Sequence, residues 1–469
     1  MFSLRSGVLQ LLRGSLVGRS ISLILNLLLG RILGPSGLGV FAFFTTTTQT
    51  LEIASRLGVD YSVTCELTEK THIKSDLDKE AIIKSSLNII GIASILLSIV
   101  LTAWISTGSN AIRLLDQEGR LLSVTLLVFC CVLESYCGIR WDILLALGRS
   151  DFYSIRQLIF APLKIGCATV GGLLGGILGG LVGYSLSIFL QSVWISTKFP
   201  RYLGTYRASS LEKRTSVRLL RGGLGLYIAN SVAAIVFLPL IAWLGIHSGI
   251  ENIGYVRVGQ IIVQVFTLVP GALAPLLFIK LMEKKQSSAA RNEHLNNAIT
   301  VIWWTGLLSL VGYLLIDKLL VRGLFGEVYM PSITPTRVLV LAAVCESVGQ
   351  VLHSPLLADK RIRFFSLTQN GSVLAAAALG YLLIGIDGLV GYLVARLTYA
   401  GLPVLVYLIE GWKTLECKQR ILQFSGLTIL LIPSCLIEGF PDYFTIPVCI
   451  GVAATLLLES QEIRSIAFR

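Results

Sequence analysis

Apolar residues in this chain neither alternate nor stripe one face of short helices; they run together. Stretches of roughly twenty apolar residues recur from end to end, centred on 10–31, 39–62, 85–106, 121–147, 154–173, 175–197, 222–245, 255–279, 298–316, 337–358, 366–386, 388–410, 421–439 and 443–459. Each is long enough to cross a hydrocarbon layer about 30 Å thick as a helix. Inside lipid the backbone must satisfy its own hydrogen bonds, which selects helices over open strands. The pattern predicts an all-α polytopic membrane protein with about 14 transmembrane helices. Two of the spans, 154–173 and 175–197, meet with almost no loop. The first span carries Arg13 and Arg19, is longer than a signal peptide and has no small-x-small cleavage site after it, so it reads as a retained helix.

The polar segments between spans set the orientation. With the N-terminus in the cytoplasm, inward segments hold 26 Lys and Arg, among them Lys70, Lys74, Lys79, Lys84, Arg149 and Arg156. Outward segments hold 6: Arg31, Arg113, Arg120, Lys318, Arg322 and Arg337. A bias of this size follows the positive-inside rule and predicts both termini on the cytoplasmic side of the membrane.

The chain also repeats itself. LLRGSLVG at Leu11–Gly18 is echoed by LLRGGLGL at Leu219–Leu226, and GLVGY at Gly180–Tyr184 by the same five residues at Gly388–Tyr392. FYSIRQ at Phe152–Gln157 is echoed by FFSLTQ at Phe364–Gln369. An even number of spans separates the copies, so the repeats are parallel, related by an axis along the membrane normal. The predicted organisation is a six-helix lobe over 1–207, a second over 208–410, and two extra C-terminal helices with a cytoplasmic tail over 411–469. Two such lobes are a transporter plan, with the substrate path between them.

Composition narrows the classes. Hydrophobic residues make up 54% of the 469 and charged residues only 14%, against roughly 25% charged in soluble domains. That excludes a soluble enzyme and a disordered tail. The net charge of +12 would suggest nucleic acid in a soluble protein; here it is mainly the topology signal. Nine cysteines form no CxxC pair and read as small apolar residues. The four histidines are scattered, no phosphate-binding glycine loop is present, and no cofactor or metal is expected.

Ionisable residues inside spans are costly, by at least about 2.5 kcal/mol each at mid-bilayer, and so face protein or a wet cavity. The candidate cationic cavity for an anionic headgroup is Arg19, Arg56, Arg140, Lys164, Arg257 and Arg396. Arg13 and Arg257 lie near span ends, where snorkelling accounts for them. Arg19, Lys164 and Arg396 have no acid at helical spacing on their own helix, although an acid of another helix could pair with each. Glu52, Arg56 and Asp60 fall at i, i+4 and i+8 on one face of the second span; the trio either neutralises itself or does chemistry. Glu52, Asp60 and Glu134 are the candidates for proton or sodium coupling.

GRILGPSGLGVFA at Gly30–Ala42, LLALGRSDFYSI at Leu144–Ile155 and LFGEVYMPS at Leu324–Ser332 resemble segments at matching places in the polysaccharide transporter branch of the multidrug/oligosaccharidyl-lipid/polysaccharide exporter superfamily. The resemblance implies a bacterial inner-membrane flippase for a lipid-linked oligosaccharide, such as an O-antigen or capsule repeat unit on a polyprenyl pyrophosphate. It implies two lobes that alternate between inward-open and outward-open states. Related flippases hold the pyrophosphate with arginines of the early helices; Arg19 and Arg56 occupy comparable regions. The expected partners are the lipid-linked oligosaccharide, membrane lipid and a polysaccharide polymerase or ligase, with no nucleic acid. The competing readings are a multidrug or cation exporter of the same superfamily and, as an enzyme, a polymerase or ligase. The cations inside spans outnumber the acids, which favours an anionic substrate, and no external loop has the length of a catalytic lid.

Overall fold

The computed structural model describes residues 4–69, 76–106, 120–147, 149–199, 213–267, 288–358 and 361–411, together with isolated positions between 425 and 452. Among them there is helix and no strand. The helices are α1 (Leu4–Arg56), α2 (Val59–Glu69), α3 (Asp76–Ser106), α4 (Arg120–Ala146), the short α5 (Ser150–Ile155) and α6 (Ala161–Lys198). Then come α7 (Lys213–Ser248), α8 (Ile250–Phe266), α9 (Ser288–Leu324), α10 (Ile333–Ala358) and α11 (Ile362–Gly411). A π-helical turn, Arg156–Phe160, joins α5 to α6, and a 3-10 turn, Glu327–Ser332, leads into α10. Eight helices of the described residues are long and apolar enough to cross a membrane. The chain is a multi-pass membrane protein.

Three of those eight, Val17–Arg56, Arg156–Lys198 and Arg363–Glu410, run to 40 residues or more. A straight helix of that length would reach about 60 Å, twice the hydrocarbon thickness. Each is broken inside: at Gly34, at Gly175–Gly176 and at Asp387. The α6 break is a hairpin. A Cβ on Gly171 would strike the backbone of Gly179, and one on Gly183 the backbone of Cys167, so the two halves run antiparallel at glycine-limited distance. Gly176, at φ 59°, supplies the left-handed turn. Gly391 lies likewise against the backbone of Leu383 and Ile384 across Asp387.

The α1 break reverses the chain by the same geometry. Before it, Gly18 lies against Gln157 and Thr169 donates to the Leu25 carbonyl at 3.4 Å, so α1 runs parallel to the first half of α6. After it, Gly37 lies against Ile177, and Phe41 and Phe44 set their edges on Tyr184 at 5.6 and 6.2 Å. The second halves are therefore parallel too, and the two halves of α1 oppose each other as those of α6 do. The predicted boundaries 31/39, 173/175 and 386/388 fall at or beside these breaks. The later part of span 255–279 and nearly all of spans 421–439 and 443–459 lie outside the described residues.

The element spacing carries the repeat. Asp76 and Ser288 open α3 and α9, Ser150 and Ile362 open α5 and α11, and Gly175 and Asp387 mark the two turns, each pair 212 residues apart. FYSIRQ and FFSLTQ share that spacing; the two GLVGY segments, 208 residues apart, sit one helical turn out of step.

The chain forms two compact units, Met1–Gly254 and Tyr255–Arg469. In the first, buried Leu29, Phe41, Phe44, Cys130, Ala168, Leu181 and Ile188 form one core, and Val59, Ile83, Trp141, Phe160, Ile195 and Leu219 belong to another. In the second unit, Gly306 packs on Val344 and Gly259 on Leu339 and Thr336. Large apolar side chains stand exposed on the outside of the helices, including Ile99, Leu174, Leu382 and Ile386. On a soluble protein such surface would cause aggregation; here it meets lipid tails.

Candidate functional site

The first unit gathers charge where α1, α2, α4 and the start of α6 meet. Glu52 and Arg56 sit one turn apart at the end of α1. The helix then breaks: Leu57 and Gly58 both take positive φ, 48° and 75°. The expected single face through Glu52, Arg56 and Asp60 is thus carried by two helices, because Asp60 lies in the first turn of α2. Asp60 still reaches Arg56. Arg56 Nη1 donates to Asp142 Oδ2 at 2.7 Å and to Asp60 Oδ2 at 3.3 Å, while Nη2 donates to Glu52. One guanidinium holds three carboxylates from three helices.

Gly138 makes room for this contact. A Cβ there would run into Arg56 Nη2 and Glu52 Oε1, so the guanidinium lies directly on the α4 backbone. A second cation approaches the same carboxylate: Arg156 Nη2 is 3.7 Å from Glu52 Oε1. Sequence reading places Arg156 in a cytoplasmic segment. In the fold it opens the π-helical turn, and such turns recur at functional sites. Neither its position in the cluster nor the role of Gly138 is signalled by spacing, since both depend on contacts between helices distant in sequence.

Lys164, in the first turn of α6, donates to Glu134 Oε1. Glu134 is buried, and its other oxygen has no hydrogen-bond partner among the described residues. Arg140 is buried as well; it donates to Ser196 Oγ at 2.7 Å and to the Tyr136 hydroxyl, and stacks over the Tyr136 ring at 3.7 Å. Among the described residues, four cations (Arg56, Arg140, Arg156, Lys164) thus stand in one region with four acids (Glu52, Asp60, Glu134, Asp142). The acid of another helix that Lys164 could take is Glu134. Arg56 takes Asp142 of α4 in addition to the two acids of its own trio. Burying a lone charge costs several kcal/mol, and pairing offsets much of that.

Arg19 differs. It is exposed in the middle of the first half of α1 and makes no ion pair or hydrogen bond among the described residues. In the second unit, Arg396 pairs with Glu346 at 3.2 Å and stacks near Tyr399, so it too is matched by an acid of another helix. Arg257 donates to Gln260 at 3.3 Å. The side chain of Arg13 lies outside the described residues. The second unit also buries a pair that spacing does not single out, Arg337 on Asp317 at 2.5 Å, which staples α9 to α10.

The fold is similar to that of several solved multi-pass membrane proteins. The solved structures it resembles include the lipid II flippase MurJ in an inward closed conformation, with a TM-score of 0.71 and 16% identity, covering 97% of this chain and 99% of that one. An inward-facing multidrug resistance MATE transporter of the MOP superfamily matches with a TM-score of 0.65 and 14% identity over 87% of this chain and 96% of that one. A MOP superfamily transporter from Pyrococcus furiosus, described as having a binding pocket of reversed polarity, matches at 0.58 and 15% over 88% and 96%. No known protein family and no curated protein matches the sequence. At these identities the likeness is one of fold.

Proposed function

We propose that the chain is a flippase that carries a polyprenyl-pyrophosphate-linked oligosaccharide from the cytoplasmic to the outer leaflet of the inner membrane by alternating access, serving surface polysaccharide synthesis. The observation that carries this reading is Arg19, an exposed arginine in the middle of a membrane-spanning helix with no acid beside it among the described residues. An always-charged guanidinium in that position calls for a hydrated path or an anionic ligand, and its planar fork suits phosphate oxygens. The fold likeness to a lipid II flippase supports the same reading. A polar glycan cannot cross hydrocarbon, whereas its polyprenyl tail stays in lipid throughout. The paired cations around Arg56 form a reserve: an incoming anion can displace Asp60 or Asp142 from the guanidinium, the freed carboxylate turning to water or taking up a proton. Movement of the anionic head is driven by membrane potential or by an ion exchanged at Glu52, Asp60 or Glu134.

The exporter reading draws on one observation, the three carboxylates that converge on the guanidinium of Arg56, a set of acids that a cationic substrate would use. Both readings are decided by protein in liposomes, offered a purified lipid-linked oligosaccharide in one arm and a lipophilic cation in the other. Head-group translocation in the first arm, abolished by Arg19→Ala, supports the flippase. Transport in the second arm alone overturns it.

A further inference from the structure

The two ion pairs described in the second unit differ in access. Arg337 and Asp317 are shut in, their side chains 7% and 4% exposed. Arg396 and Glu346, near the middle of spans 388–410 and 337–358, are 24% and 33% exposed. Further polar groups that water can reach stand beside the open pair. Gln350 lies one turn beyond Glu346 and is exposed, although Glu327–Leu356 is the most buried of the eight long apolar segments. An amide turned to hydrocarbon would have no hydrogen-bond partner, so this face of α10 is wet. On α11, Arg396 stacks near the Tyr399 ring, and the Tyr399 hydroxyl accepts from Gln369 Nε2 at 3.2 Å. Tyr399 and Gln369 are both half-buried. Glu346, Gln350 and His353 share one face of α10 by their spacing. Glu346 meets Arg396, and the His353 ring comes within 6.3 Å of the Tyr407 ring. Gln350, between them, therefore borders the seam with the second half of α11.

The charges of this set cancel. Glu346 holds Arg396, so the pair offers neither a bare acid to a cation nor a bare guanidinium to a phosphate. What it does offer is a row of planar groups, two amides, a carboxylate, a guanidinium and a phenol, in which donors and acceptors alternate. A ligand that matches them must itself donate and accept at neighbouring atoms, without net charge. Vicinal hydroxyls on a ring do this, and the C–H face of such a ring suits an aromatic side chain. We propose that Glu346, Gln350, Gln369, Arg396 and Tyr399 form a glycan subsite, which holds neutral sugar units of the lipid-linked substrate while the phosphates are left to Arg19. The proposal rests on the flippase reading and adds to it the groups that read the sugar.

The test separates sugar from phosphate. Translocation of a purified polyprenyl-pyrophosphate-linked oligosaccharide is measured in liposomes over a range of its concentration, with glycan-free polyprenyl pyrophosphate as competitor. In Gln350→Ala and in Tyr399→Phe, KM for the glycosylated lipid is expected to rise about ten-fold, the worth of one good hydrogen bond. The inhibition constant of the glycan-free lipid is expected to stay where it is, and so is kcat. A KM unchanged in both variants, or a KM and an inhibition constant that rise together, overturns the glycan subsite. A second measurement needs no transport. The oligosaccharide, released from its carrier by mild acid, is expected to raise the thermal transition of the wild type in detergent. Gln350→Ala is expected to need about ten-fold more of it for the same rise. No rise in the wild type, or the same dose dependence in both proteins, overturns the proposal. A wild type that translocates neither lipid, yet is stabilised by the free oligosaccharide through Gln350, counts against the flippase and upholds the glycan subsite.

Discussion

Arg19 and Lys164 are both basic residues inside spans, and the structure gives them different work. Lys164 neutralises buried Glu134. Its replacement by Ala leaves that carboxylate alone and is expected to lower stability by about 3–5 kcal/mol, read as an earlier thermal transition in detergent. The double variant Lys164→Met, Glu134→Leu removes both charges and is expected to recover most of that loss. Recovery absent from the double variant would mean that the pair is not what holds α4 to α6. Arg19 has no acid beside it among the described residues, so Arg19→Ala is expected to keep the wild-type thermal transition and lose transport, while Arg19→Lys keeps part of it. Both residues are visible in the sequence through the rarity of charge in apolar runs. The partner of Lys164 is not, because Glu134 lies 30 residues away on another helix, and nothing in the spacing brings Arg156 to Glu52.

Helix boundaries are more legible. The chain breaks at Gly34, Gly175–Gly176 and Asp387 fall where apolar runs long enough for two passes have to be divided, so length alone locates them. What length leaves open is how each turn is made. Gly176 has positive φ and needs glycine; Asp387, at φ −142°, does not. Gly176→Val is therefore expected to reduce folded yield, while Asp387→Asn is expected to be tolerated, with membrane expression and thermal stability as the readout. Gly171→Leu is expected to be worse than either, because its side chain would have to displace the returning backbone of Gly179. The break at Leu57–Gly58 is not legible: it lies at the end of a span, where no length constraint applies, and Glu52, Arg56 and Asp60 keep a helical spacing across it.

For the molecule as a whole, the fold is similar to that of solved flippases and exporters, and the distribution of basic residues predicts which way it faces. Cysteine placed at Lys318 is expected to react with a membrane-impermeant maleimide from outside intact cells, and cysteine at Arg363 only after permeabilisation. The reverse pattern would invert the topology and with it the direction of transport. The proposed function turns on whether a phosphate-bearing head group crosses the bilayer past Arg19. In liposomes supplied with a purified polyprenyl-pyrophosphate-linked oligosaccharide, wild-type protein is expected to translocate the head group, and Arg19→Ala, folded and inserted to the same extent, is expected not to. Equal translocation by the two proteins, or none by the wild type, would contradict a flippase that works through Arg19.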